Sequence, residues 1–343
     1  MPDRSPARPP FIVVHGELPH AAGAADHALD GAVVAIGNFE GVHRGHRAVI
    51  DVALARGREL TRKTAALTFE PHPRAVFRPD EPVFRLSDEA TKLRLLATTG
   101  LDGAIVMRFD AALAALSAED FVRRVLIERF SFAGVVVGFD FHFGKGRAGS
   151  PDFLEAAGHA HGFTVDIVAP FADGGTRISS GKIRDALAAG EVEAAAELLG
   201  YPWFVSGEVV HGDKRGRELG FPTANLRLDP ACGLKHGVYA VRVGLDGKRY
   251  DGVANFGRRP MFDTGVVLLE IFLFDFDGDL YGKTPDVAFI RWIRPEMAFA
   301  SVDDLVRRMD EDCGLARAAL ARAPDAFPPI EPSPAAEDRT APR

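Results

Sequence analysis

Gly37-Asn38-Phe39-Glu40-Gly41-Val42-His43-Arg44-Gly45-His46, or GNFEGVHRGH, follows the apolar run AVVAIG (32–37) and sets two histidines around a glycine. An apolar run, a glycine-rich turn and then a helical pattern mark the start of a βα unit. The glycines at 37, 41 and 45 let backbone approach a ligand closely, and the following helix offers free N–H groups to an anion. A dinucleotide fingerprint needs GxGxxG, and Phe39 breaks it. A zinc helix needs histidines four apart with a glutamate between them, and Arg44 would repel the cation. Two imidazoles one helical turn apart can instead donate N–H bonds to phosphoryl oxygens and stabilise charge growing on phosphorus. The plain alternative is a turn with incidental histidines.

Outward from this turn, short apolar runs alternate with amphipathic helical patterns. AVVAIG (32–37), TAALTF (64–69), GAIVM (103–107), AGVVVG (133–138) and FTVDIV (163–168) read as buried parallel strands. SAEDFVRRVLIERF (117–130) reads as a helix capped by Ser117, with Asp120 in the capping-box position. This rhythm predicts a doubly wound sheet with ligands at the carboxyl ends of its strands. After a helical stretch, SSGKIRDALAAGEVEAAAELLG (179–200), the pattern changes to strands separated by Asp-Gly turns, the mark of antiparallel hairpins. One long helix pattern, SVDDLVRRMDEDCGLARAALAR (301–322), closes the folded part, which puts a domain boundary near residue 190.

The 343 residues are enough for two domains, and 47% hydrophobic content supports a core in each. A net charge of −7 argues against binding nucleic acid through a broad basic face but leaves room for a pocket that takes a single nucleotide. Cys232 and Cys313 form no CxxC pair and suggest buried thiols in a reducing compartment. No run approaches the roughly 18 apolar residues of a membrane span, and the N-terminus lacks the apolar region of a signal peptide. The expectation is a cytoplasmic monomer or weak oligomer with no membrane or nucleic-acid partner. The segment from 323 on, rich in Ala, Pro and charge, reads as a tail with nothing to bury.

Four segments, in order, resemble one family. GNFEGVHRGH is similar to the HxGH signature of nucleotidylyltransferases, in the FAD-synthetase form GxFDGxHxGH. Thr68–Pro73 (TFEPHP), Gly138–Gly144 (GFDFHFG) and Ile178–Arg184 (ISSGKIR) resemble that branch's TFxPHP, GxDFxFG and ISSTxIR segments. Glu40 replaces the usual Asp, and Gly181 replaces a Ser or Thr, which removes one hydroxyl from the phosphate contacts. The resemblance implies ATP and phosphate contacts from Gly37, Phe39, Gly45, Ser179, Ser180 and Arg184, catalytic roles for His43 and His46, and flavin contacts from Phe69, His72 and Asp140.

Further on, Gly212–Asn225 (GDKRGRELGFPTAN) is a glycine-rich basic loop whose backbone N–H groups could wrap phosphates, or an ordinary basic loop. Thr223 and Asn225 alternate, so an extended chain points both to one face, where they could hold Mg²⁺ and phosphate oxygens. The segment resembles the riboflavin-kinase signature GxxxGRxLGFPTAN. The likeness continues through 237–240, through 252–257 and on to Glu270, while Arg258–Met261 departs from the usual TRPT. The resemblance implies that Gly216, Thr223 and Asn225 bind nucleotide, that Thr223 and Asn225 hold Mg²⁺, and that Glu270, a charge in an apolar strand, is the base.

Together the two likenesses span about residues 30–322 and imply the bifunctional riboflavin kinase/FAD synthetase family of prokaryotic type. The implied fold is an α/β Rossmann-like nucleotidylyltransferase domain (1–186), then a mainly antiparallel β-barrel domain with a C-terminal helix (187–325) and a disordered tail (326–343). The implied reactions use MgATP, with riboflavin, FMN and FAD as substrates or products. FGKGRAG (143–149) fails as a P-loop, since Phe139 and Gly146 occupy positions that need Gly and Ser or Thr. DFDGDLYG fails as an EF-hand at Leu280 and reads as a tight Asp-Gly hairpin turn. A class I aminoacyl-tRNA synthetase, another HxGH enzyme, would need an RNA-binding appendage that this chain does not suggest.

Overall fold

The structure is a computed structural model that describes residues 9–17, 28–173, 176–210, 220–258 and 267–330. The chain forms two compact units, Met1–Val83 with Asp88–Ile178, and Phe84–Ser87 with Ser179–Arg343.

The first unit is built on a six-stranded, wholly parallel sheet in the order β1-β4-β3-β2-β5-β6. Its strands are β1 (Ile12–Gly16), β2 (Val33–Ile36), β3 (Thr64–Glu70), β4 (Gly103–Arg108), β5 (Gly134–Gly138) and β6 (Thr164–Val168). The central strands β2 to β5 are buried almost end to end, because a parallel sheet is covered on both faces. The edges differ from the sequence expectation. β6 is only half buried, and its Asp166 turns outward to a bidentate pair with Arg56. β1, which alternates buried and open positions as an edge strand does, was hidden beside the charged, proline-rich start of the chain.

The helices here are α1 (Arg44–Leu60), α2 (Pro73–Phe77), α3 (Glu89–Ala97), α4 (Ala111–Ala114), α5 (Ala118–Asp120) and α6 (Pro151–His161). Ser117 caps α5 by accepting from Asp120 N at 3.0 Å, as the pattern predicts. The next seven residues, Phe121–Ile127, then widen into a π-helix that no propensity signals. β2 has β3 on one side and β5 on the other, so strand order reverses there. The crevice beyond the carboxyl ends of β2 and β5 is where such sheets bind ligands, and GNFEGVHRGH and GFDFHFG leave those two ends. A short ribbon of β7 (Ala172–Asp173) and β8 (Thr176–Arg177) completes the unit.

The second unit starts with α7 (Ser180–Ala189) and α8 (Val192–Leu199), separated at Gly190, which takes φ 82°. Seven strands follow: β9 (Phe204–Ser206), β10 (Val209–Val210), β11 (Ala224–Leu228), β12 (Gly237–Leu245), β13 (Lys248–Arg258), β14 (Val267–Leu273) and β15 (Asp286–Arg294). They form one antiparallel sheet in the order β10-β11-β14-β13-β12-β15-β9. Two register shifts in the β12–β15 pairing bend it, as bulges do. The final helix, α9 (Val302–Arg322), is capped by Ser301 and packs on β12, β13 and β15.

Of the Asp-Gly turns, Asp246-Gly247 joins β12 to β13 with φ of 50° and 74°, the left-handed pair a two-residue hairpin needs. DFDGDLYG is not a hairpin. β14 and β15 are separated by β13 and β12, so the segment turns at Phe274-Asp275 and crosses two strands. Chain length between strands, rather than the Asp-Gly pair, decides which strands meet.

The tail expectation also changes. Residues 323–330 do bury something: Arg242, 6% exposed, donates to the carbonyls of Leu320, Pro324 and Ala326, and Phe327 occupies the space left by Gly244. Residues 331–343 lie outside the described residues.

The strap Phe84–Ser87 belongs to this unit although it comes from the first half of the chain. Phe84 stands edge-on to Trp203 at 5.7 Å, and the Trp203 indole N–H donates to Leu86 O at 2.9 Å.

Candidate functional sites

In the first unit the turn after β2 is held by three left-handed or near-left-handed residues out of four, Phe39 (φ 48°), Gly41 (φ 64°) and Val42 (φ 38°), with Glu40 between the first two. This strained turn reverses the chain so that His43 becomes the N-cap of α1, its Nδ1 accepting from His46 N at 3.1 Å. The two rings stack at 3.5 Å and 12°, and the Phe39 ring, 1% exposed, stands edge-on to His46 at 5.2 Å. With His43 Nδ1 taken by a backbone donor and the rings parallel, their in-plane lone pairs do not converge on one ion. Burial, then His43, then Lys92 hold the His46 imidazole well below its ordinary 6.5, so it is neutral at pH 7. Gly45 allows a close approach here: a Cβ would lie 3.2 Å from His43 Cε1 and 3.6 Å from Ile178 O, so the imidazole would have to shift by a few tenths of an ångström.

His72, at the end of β3, caps α2 by accepting from Arg74 N at 3.1 Å. Its Nε2 lies 3.5 Å from Asn38 Nδ2 and 3.9 Å from Glu40 Oε2, so the PHP turn is brought onto the histidine turn. Phe69 is 9% exposed and stands edge-on to Phe109, which meets the exposed Phe77 in the same way. Asp140 pairs with Arg177, whose guanidinium lies over the Phe139 ring at 4.8 Å.

Ser179 and Ser180 start α7 in the second unit, where Ser179 Oγ accepts from Lys182 N at 3.4 Å. Arg184 Nε donates to Phe84 O at 2.5 Å. Gly181 is open, and a Cβ there would meet only Ser179 Oγ at 3.8 Å.

A second site lies in the β unit. Strand register places Asn225 of β11 and Asn255 of β13 directly opposite Glu270 of β14, one on each side, so the three form a row on one face of the sheet. β14 alternates cleanly, with Leu269 and Ile271 buried and Glu270 and Phe272 on the other face. Thr223, Asn255 and Glu270 border a cavity of about 180 Å³ whose apolar walls include Phe221, Phe272, Met297 and Met309. Asn225 is 6% exposed, and its Oδ1 has no hydrogen-bond partner among the described residues. An orphaned buried carbonyl oxygen two residues along the chain from a threonine hydroxyl offers the hard oxygen donors that suit Mg²⁺. On the helix side, Asp312 of α9 (5% exposed) takes a bidentate pair from Arg294 of β15, with Nε–Oδ1 at 2.9 Å and Nη2–Oδ2 at 2.6 Å. Cys313 borders the cavity as well, and burial with nearby Asp310 and Asp312 pushes its thiol up to about 11, out of reach as a nucleophile.

Gly216, the rest of 211–219 and Arg259–Met261 lie outside the described residues. Sequence reasoning did not find Lys92, Arg177, Asn255, Arg294 or Asp312. Asn255 stood inside the 252–257 run of the likeness, and its register opposite Glu270 was the missing information. Lys92 and Asp312 had a readable signal, a charge on the apolar face of an amphipathic helix.

Family comparison matches residues 25–182 to FAD synthetase and residues 199–320 to riboflavin kinase. The bifunctional riboflavin kinase/FMN adenylyltransferase of Escherichia coli (strain K12) is 42% identical over 284 residues, 82% of this chain and 91% of that one. Its counterpart from Pseudomonas fluorescens is 41% identical over 85% of this chain and 94% of its own length. That of Haemophilus influenzae is 39% identical over 86% and 96%. A crystal structure described as a macrolide-efflux protein from Streptococcus pneumoniae superposes with a TM-score of 0.78 at 31% identity, over 89% of this chain and 99% of that one. Among the described residues no helix is long and apolar enough to cross a membrane.

Proposed function

The chain belongs to the bifunctional riboflavin kinase/FMN adenylyltransferase family, and from that premise we propose how its residues divide the work. It phosphorylates riboflavin to FMN with ATP in its C-terminal half and adenylylates FMN to FAD with a second ATP, releasing pyrophosphate, in its N-terminal half. In our reading the adenylyltransferase domain spans residues 1–186 and the kinase domain 187–325, with the first residues of 326–343 packed on it and the remainder a tail. The observation that carries the division of labour is that the stacked histidines and the Glu270 row lie in different compact units.

In the kinase half the apolar cavity takes the isoalloxazine ring, and Glu270 accepts the proton of the riboflavin 5′-hydroxyl as its oxygen attacks the γ-phosphorus of ATP, with ADP leaving. Thr223 and Asn225 hold Mg²⁺, and Gly216 contributes to the nucleotide loop. Mg²⁺, when bound, neutralises charge on the β- and γ-phosphates. Glu270 is supported by its place in a polar row at the cavity edge, where a carboxylate in an otherwise apolar strand has a use.

In the adenylyltransferase half a phosphate oxygen of FMN attacks the α-phosphorus of ATP, and pyrophosphate leaves. His43 and His46 donate N–H bonds to phosphate oxygens. Gly37 and Gly45 let the nucleotide approach, and Phe39 acts through its ring, which backs His46. Ser179, Ser180 and Arg184 steady the leaving pyrophosphate, while Phe69, His72 and Asp140 hold the flavin. No protein nucleophile is needed, because holding both reactants in line can supply about 7–11 kcal/mol of the barrier. We further place the protein in the cytoplasm as a monomer or weak oligomer with small-molecule partners only.

The test is chromatography of flavins after incubation with ATP and Mg²⁺. His46→Ala should convert riboflavin to FMN and stop there. Glu270→Ala should leave riboflavin untouched yet convert supplied FMN to FAD. Loss of both steps in either variant would contradict separate sites.

A further inference from the structure

Lys92 belongs to none of the motifs, yet it is among the most deeply buried charges of the first unit, 1% exposed on α3. A lysine is costly there unless its ammonium is paired and hydrogen-bonded. Its Nζ donates to Glu70 Oε1 at 2.6 Å and to Thr68 Oγ1 at 3.1 Å. The Thr68 hydroxyl is wholly buried and has one proton, which it gives to Asn38 O at 3.1 Å. Because Lys92 can only donate, it sets the direction of that two-bond relay. Asn38 lies at the start of the histidine turn, and Glu70 ends β3 two residues before His72. α3 itself packs against the turn Glu40–Val42.

We propose that Lys92 is a positioning residue for adenylyl transfer, tying the Gly37–His46 turn to the loop that carries His72 and setting a positive charge near the imidazole pair. The inference rests on the phosphate role given to His43 and His46 above. An apolar side chain would fill the same volume without the desolvation cost, so filling space does not account for a lysine. The titratable groups on the elements around His46 are the N-cap His43 and Arg44, Arg47, Asp51, Arg56, Arg58 and Glu59 on its own helix, Glu89, Lys92 and Arg94 on α3, Glu40 in the turn, and Glu70 and His72 at the end of β3. Of these, His43 and Lys92 push the His46 imidazole down after burial has done so.

The experiment uses the full chain as Lys92→Met, Lys92→Arg and the double variant Lys92→Met/Glu70→Gln, which removes the carboxylate that Lys92→Met alone would orphan. Three quantities are read: the steady-state rate from FMN to FAD, the NMR titration of labelled His46, and riboflavin kinase activity as a check on the other unit. Lys92→Met and the double variant should lose on the order of 10- to 100-fold in kcat, with a smaller change in the KM for ATP. His46 should titrate at higher pH in both. Lys92→Arg should keep the His46 titration and recover part of the rate. Wild-type rate and titration in a folded Lys92→Met chain would overturn the proposal. So would full recovery of rate in the double variant, since the lysine would then serve only to pair Glu70. If neither chain folds, the lysine is a structural residue and the proposal falls. A His46→Ala chain that still makes FAD would instead overturn the phosphate reading beneath it.

Discussion

A Cβ on Gly45 would stand 3.2 Å from Cε1 and 3.3 Å from Nδ1 of His43, closer than carbon contacts normally come. The His43 ring has little freedom to yield, because Nδ1 caps α1 and its face stacks on His46 at 3.5 Å. Gly45→Ala should therefore lower FAD synthesis on the order of tenfold while leaving riboflavin phosphorylation unchanged, as a displacement well under 1 Å would. Steady-state assay of each step checks this. At this scale the spacing around the histidines was legible in the sequence, since glycine there has few uses besides close approach. The cap and the stack were not, because His43 accepts from backbone as a Ser or Asp would, and histidine is not read as a capping residue. Lys92 stands out as a charge on the apolar face of its helix, but the relay through Thr68 to Asn38 was unreadable, since 24 and 30 residues separate the bonded pairs.

The pair formed by Asp312 and Arg294 joins α9 to β15 at the wall of the kinase cavity. Asp312→Ala leaves a guanidinium that is 11% exposed without its bidentate partner, and removing one member of a buried pair costs about 3 kcal/mol. Thermal unfolding should show a lower midpoint. The KM for riboflavin should rise, whereas conversion of supplied FMN to FAD should hold. Unchanged riboflavin KM would show that the helix does not shape the flavin cavity. Element existence was largely legible: all five predicted strands of the parallel sheet are present, and α9 starts at its Ser301 cap. What failed were pairings and edges. β1 follows a stretch whose composition hid it. The Asp-Gly rule distinguished Asp246-Gly247 from DFDGDLYG in neither direction, because a turn residue reports local backbone and not which strands lie side by side.

At the scale of the molecule the stacked histidines and Glu270 belong to different compact units, so a substitution at one leaves the side chains around the other in place. Mixing Glu270→Ala with His46→Ala should thus restore FAD formation from riboflavin, the second chain supplying FMN and the first consuming it. Chromatography of the mixture against each variant alone checks this, and a mixture that accumulates FMN without FAD would show that free FMN cannot enter the first unit. The units do not follow the order of the chain. Phe84–Ser87 leaves the first half of the chain to lie beside Trp203, giving its indole N–H an acceptor at Leu86 and its ring an edge-on neighbour. A gene split anywhere after residue 178 would hand that short piece to the wrong product. The kinase half made on its own would then carry a buried tryptophan, 2% exposed in the whole chain, newly wetted on one side. Fission of these two enzymes into separate genes is therefore not a matter of a single stop codon: the kinase would first have to acquire its own cover for that indole.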